Sequence, residues 1–135
     1  DIAAAVVEHL DIDDLLALAI DLLGDPPPIR DAGLLASAAA RQKANLLGQD
    51  AYPDLWTKAA ALLHSIVKNH PLVDGNKRLG WLATAVFLEL NGVEMTGIDN
   101  DEVFEFVMVV TVGADDIEQI ADLLRRLATS GPDEG

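Results

Sequence analysis

One nine-residue stretch, His70-Pro71-Leu72-Val73-Asp74-Gly75-Asn76-Lys77-Arg78, gathers the side chains best suited to chemistry in this chain. Pro71 disfavours helical geometry at the residue before it, so the His70 imidazole belongs at a helix end. Asp74-Gly75-Asn76 is turn chemistry leading into a helix N-terminus. There, backbone N–H groups without intrahelical partners and the helix dipole together make an anion site. Lys77 and Arg78 then stand in the first helical turn, where each cation opposes the dipole by about 0.3–1 kcal/mol. A phosphate seated on the turn reverses those electrostatics. An Asp beside phosphates suits Mg²⁺, and an imidazole with an unperturbed pKa of about 6.5 suits uptake of a hydroxyl proton. The group reads as a phosphoryl- or nucleotidyl-transfer site, where positioning and charge neutralisation do most of the catalysis.

Plainer readings compete with this one. Asp74 serves equally well as a helix N-cap, and Lys77 with Arg78 as a solvated basic pair. Lys68, near the site, is a weaker phosphate candidate and reads as a surface helix lysine. His9 and His64 lack a phosphate turn and read as structural, and Trp81 and Phe87 read as core. The acidic runs Asp11-Asp13-Asp14 and Asp99-Asp101-Glu102 read as helix caps and solvated faces.

The elements that must position this stretch are helical. Leu15, Leu16, Ala19, Ile20 and Leu23 recur at helical spacing behind a cap at Asp11 or Asp13. Gly24-Asp25-Pro26-Pro27-Pro28 is a stiff break. Asp31 caps a second, Ala-rich helix to about Ala44. After a loop around 48–52, Pro53 at a first-turn position opens a third helix to about Asn69. The fourth runs from Gly75 to Asn91. Its stretch from Leu79 to Leu88 has no charge and is apolar all round, the pattern of a central buried helix. Asn91-Gly92 is a C-cap signal. Val93 to Thr96 reads as short and extended, Asp99 or Asp101 starts a fifth helix to about Val112, and Asp115 a sixth to about Leu127. Ala3 to His9 is ambiguous between a strand and a helical turn, and the tail 129–135 reads as frayed. The expectation is one all-α domain over 1–135: a compact bundle of about six helices, with room for one short strand pair.

Composition narrows the function classes. A chain of 135 residues is sized for one core, and 50% apolar residues exclude a disordered chain. The mean hydropathy is +0.23, yet no run reaches the roughly 18 apolar residues of a membrane span. With 23 acidic residues against 9 basic ones the net charge is −14, so nucleic acid and anionic membranes are not expected partners. The absence of Cys excludes disulfides and thiol catalysis and fits a cytoplasmic setting. The start at Asp1 shows neither a basic leader nor an initiator Met, which reads as no secretory signal and a trimmed start.

The segment HPLVDGNKR with the following LGWLATAVFLELNG resembles the Fic/Doc superfamily, specifically its Doc (death-on-curing) branch, whose motif reads His-x-Phe-x-Asp-Gly/Ala-Asn-Lys-Arg. The likeness continues upstream through DAGLLASAAARQ and YPDLWTKAAALLHSIVKN, from about Ile29 to Gly92. The resemblance implies the small all-helical Fic core, with His70 as the base that activates a target hydroxyl. It also implies that Asp74 holds Mg²⁺ with the nucleotide phosphates, that Gly75, Asn76 and Lys77 form the anion-holding turn, and that Arg78 contacts phosphate. It implies a toxin that moves the γ-phosphate of ATP to a threonine of a translation elongation GTPase, neutralised by the C-terminal segment of a Phd-type antitoxin. The AMP-transferring Fic group differs: it carries Gly where this chain has Lys77, and a second Arg where this chain has Trp81. An adenylyltransferase is therefore the second reading. A module that binds nucleotide or antitoxin without turnover is the third, because Leu72 stands where the motif usually has Phe.

Overall fold

The computed structural model describes residues 6–130. Six helices make up nearly two thirds of it: α1 (Ile12–Leu23), α2 (Ala32–Arg41), α3 (Leu55–Asn69), α4 (Asn76–Leu90), α5 (Asn100–Val112) and α6 (Ile117–Ser130), with a pair of two-residue strands, β1 (Asn45–Leu46) and β2 (Gln49–Asp50), between α2 and α3. The all-α bundle is as expected.

Aspartates start most of these helices, which is why their beginnings are legible. Asp11 and Asp14 form a reciprocal capping box on α1, Asp31 accepts Leu34 N–H on α2, Asp54 accepts Thr57 N–H on α3, and Asp99 accepts Asp101 and Glu102 N–H on α5. Asp116 accepts Glu118 N–H at the start of α6. Each such bond satisfies a donor the helix itself leaves open. Pro53 therefore lies just before the cap of α3, not in its first turn.

Several boundaries differ from the sequence expectation. The second helix stops at Arg41, because Gln42 leaves the ladder: it is fully buried and bonds Leu10 N–H, Leu10 O and Ala39 O, tying the chain before α1 to α2. The strand pair spans 45–50, its second strand inside the 48–52 region expected as a loop, in antiparallel register Asn45↔Asp50. Lys58, 4% exposed, holds it to α3 through Asp50 at 3.2 Å and Tyr52 O at 2.6 Å. Residues 6–9 and 93–96 form neither strand nor helix. Residues 3–5 and 131–135 lie outside the described residues, and α6 runs through Thr129 of the tail expected to fray.

The most enclosed helix is α3, which packs on α2, α4, α5 and α6. Its run from Thr57 to Val67 is buried except for half-buried His64. Three successive alanines, Ala59 to Ala61, let neighbours come close. By contrast, α4 buries Leu79, Gly80, Ala83, Thr84, Phe87 and Leu88 against the core. Trp81, Leu82, Ala85 and Val86 stay half-buried on its other side. Trp81 is thus a groove residue packed edge-on to Phe106, while Phe87 is core, 0% exposed. Among the described residues no helix is long and apolar enough to cross a membrane.

Candidate active site

The corner between α3 and α4 is built from the backbone up. His70 caps α3 in the left-handed conformation (φ 55°, ψ 61°), a region that costs a non-glycine residue roughly 1–2 kcal/mol. Strain of this kind persists only where surrounding bonds over-determine it, and here they do. The segment before α2 runs against the loop: Ile29 bridges Leu72, Arg30 and Asp31 N–H both donate to Pro71 O, and Val73 N–H donates to Pro28 O. Arg30 reaches further, its Nε 2.6 Å from His70 O and its Nη2 2.8 Å from Asn69 O. Leu72 is 1% exposed, so the smaller apolar residue at this motif position is still seated in the core.

Gly75 is the N-cap of α4, at φ 88° and with no side-chain cap bond. A Cβ there would lie 2.8 Å from Leu23 Cδ1, so α1 also presses on the turn. The reading of Asp74 as the cap is overturned, because the cap is one residue later and the left-handed turn carries Asp74 out of line. Where the other described helices start on an aspartate, α4 starts on a glycine. Its ladder begins with Leu79 N–H to Gly75 O, leaving the earlier amides without an acidic cap.

His70, Asp74, Gly75, Asn76, Lys77 and Arg78 all line one cavity of about 290 Å³, completed by Val67, Val73 and Thr111. The structure thus brings every sequence-predicted site residue to one place. Lys77 and Arg78 are exposed and make no ion pair or hydrogen bond with another described residue. Of the other seven basic residues, Arg30, Arg41, Lys58, Lys68, Arg125 and Arg126 have such partners, and Lys43, without one among the described residues, stands far along the chain from any helix start. In a chain carrying 23 acidic residues, two adjacent cations at a helix N-terminus without an acidic cap are electrostatically suited to meet an anion.

Asn76 has a different task from the one its motif position suggests. It is 8% exposed; its Oδ1 accepts Leu72 N–H at 2.9 Å and its Nδ2 donates to Leu72 O at 3.0 Å. Nδ2 also lies 3.4 Å from His70 Nδ1, the outer limit of a hydrogen bond. The carboxamide is committed to the loop, so the part of Asn76 open to a phosphate is its backbone N–H.

Thr111, from the last turn of α5, is a cavity residue the sequence reasoning missed; its hydroxyl donates to Val107 O at 2.8 Å. Lys68 does not line the cavity: its Nζ is 3.4 Å from Thr111 O and 3.6 Å from Asp115. His64 is structural as expected. Arg41 donates to its Nδ1, so its Nε2–H donates to Asp115, and that bond holds the Asp115 carboxyl below its ordinary pKa. Burial, then the nearby Lys43 and Lys58 charges, lower His9, whose ring sits against Phe87. Among the described residues no three His, Cys, Asp or Glu side chains converge as a metal cage.

With this geometry in place, comparison with known proteins defines the class. The chain belongs to the Fic/DOC family, whose pattern matches residues 9–88. It is 42% identical over 126 residues to Toxin Doc of Mycolicibacterium smegmatis, covering 93% of this chain and 97% of that one. It is 27% identical over 124 residues to Protein kinase doc of Escherichia phage P1, covering 90% and 96% respectively. Both relatives place it in the Doc branch.

Proposed function

We propose that this protein is a Doc-type toxin of a toxin–antitoxin system, an ATP-dependent protein kinase that transfers the γ-phosphate to a threonine of a translation elongation GTPase in the cytoplasm. The observation that carries the reading is the uncapped, unpaired cationic turn Gly75–Arg78 opening on the same cavity as His70. The amides of this turn with Lys77 and Arg78 hold the phosphates. His70 takes the proton of the threonine hydroxyl as its oxygen bonds to the γ-phosphorus. The bond from that phosphorus to the β–γ bridging oxygen breaks, ADP leaves, and the proton passes from His70 to water. Asp74 is exposed, lines the cavity and has no partner among the described residues. A single carboxylate beside bound phosphates fits Mg²⁺, which takes few protein ligands. When bound there, the ion neutralises phosphate charge.

Lys77 stands where the AMP-transferring group carries Gly, and Trp81 where it carries a second Arg, which favours γ-phosphate over AMP transfer. The partner we assign is the C-terminal segment of a Phd-type antitoxin. Its place is the apolar groove of about 470 Å³ between α4 and α5, lined by Leu22, Trp81, Leu82, Ala85, Phe104 and Met108 among others. Lys77 and Arg78 line one end of the groove as well as the phosphate cavity. An amphipathic helix laid there would sit beside the nucleotide.

The test is a pair of reactions with purified elongation GTPase, one with γ-labelled and one with α-labelled ATP. The γ-label is expected on a threonine of the target and the α-label in solution, with transfer abolished by His70→Ala. Transfer of the α-label instead makes the protein an adenylyltransferase. Growth arrest that survives His70→Ala makes it a binding module.

A further inference from the structure

We infer that Arg30 is a positioning residue for His70, acting through the backbone from a segment 40 positions upstream. This rests on the reading of His70 as the base. An exposed arginine next to Asp31 in so acidic a chain would ordinarily pair with a carboxylate. Arg30 instead directs Nε and Nη2 at the carbonyls of His70 and Asn69, the negative end of α3. The left-handed turn lets His70 N–H satisfy Ile66 O, which leaves the last carbonyls, of Asn69 and His70, to the guanidinium. Here a histidine makes the left-handed turn, and a two-pronged guanidinium holds it. The planar fork matters: its two donors meet successive carbonyls at once, which a lysine ammonium cannot reproduce with the same rigidity. Asn76 fixes the other side of the loop at Leu72. Between these clamps the imidazole has a defined direction, facing the cavity with Lys77 and Arg78. Arg30 itself does not line that cavity, so it acts on geometry and not on phosphate.

The experiment compares the full-length chain with Arg30→Gln and Arg30→Lys by three readouts: γ-phosphate transfer, ATP affinity, and the imidazole NMR signals. The chain has three histidines, so His70 can be assigned against His9 and His64. For Arg30→Gln we expect kcat to fall about 10- to 100-fold, on the scale of an ångström-sized misplacement, with ATP affinity within about threefold by the same reasoning. The His70 signal should move or broaden while those of His9 and His64 stay in place. Arg30→Lys should recover part of kcat and part of the His70 signal. If Gln at this position unfolds the chain, the Lys variant carries the same readouts, with a smaller loss confined to His70. An unchanged kcat with an unmoved His70 signal overturns the inference, as does an equal disturbance of all three histidines. Should the wild-type chain transfer no phosphate at all, the kinase reading fails, and the His70 signal alone still decides what Arg30 does.

Discussion

At the scale of single residues, the Asn76 carboxamide is worth more as a brace than as a ligand. Leu72 is 1% exposed, so its N–H and C=O have no access to water and depend on Asn76 for their partners. Replacing Asn76 with Ala leaves a buried donor and a buried acceptor unmade, each costing about 1–3 kcal/mol. We expect a loss of roughly 2–4 kcal/mol on the same principle, read as a lower urea midpoint at unchanged slope. Phosphate transfer should fall with it, because the loop that aims His70 is released. A loss under about 0.5 kcal/mol, the range of ordinary surface changes, would refute the brace. This role was not legible in the sequence, where Asn76 reads as part of an anion-holding turn. Lys77 and Arg78 were legible from one-dimensional physics alone, as two cations set against a helix dipole. Arg30 and Thr111 were not, because their contacts join residues about 40 positions apart and no local spacing announces them.

At the scale of elements, the site depends on how closely α4 lies against α3, since one helix ends at His70 and the other begins at Asn76. Gly80 sets that approach. A Cβ there would meet Val67 Cγ2 at 3.0 Å and Leu63 Cδ1 at 3.1 Å. For Gly80→Ala, the gain in helix propensity of about 1 kcal/mol opposes a contact slightly too tight, so stability should change little. For Gly80→Val, two further methyl groups enter filled space, and overpacking of this kind costs about 1–3 kcal/mol. Thermal melts should therefore separate the two variants. Phosphate transfer should follow the same order, because Val pushes the phosphate turn away from His70. The beginnings of α1, α2 and α5 were readable because aspartates cap them, whereas α3 was read from Pro53, one residue ahead of its Asp54 cap, and α6 from Asp115, one ahead of Asp116. The end of α2 and the place of the strand pair were not: Gln42 bonds Leu10, 32 positions away, and the pair is pinned by Lys58 of the following helix. The charge-free run of α4 was read as buried all round. In the structure its second face is the wall of an open groove.

At the scale of the whole molecule, that groove explains an arrangement the bundle itself does not require. A chain of net charge −14 is well solvated, yet Phe104 stands 63% exposed in a wall shared with Trp81, Leu82 and Met108. An exposed aromatic beside an apolar groove fits a surface that a partner covers. Because Lys77 and Arg78 close one end, an antitoxin segment seated there meets the same cations that would hold phosphate. Phe104 lies outside the phosphate cavity, so its removal separates docking from chemistry. Phe104→Glu adds a charge where the partner's apolar face would press. Losing an aromatic anchor of this kind costs about 2 kcal/mol or more, equivalent to roughly a 30-fold weaker complex. The variant should transfer phosphate at the wild-type rate in the absence of antitoxin and escape neutralisation when the two are expressed together. Neutralisation as strong as for wild type would place the partner on another face of the bundle, and the two cations would then serve the nucleotide alone.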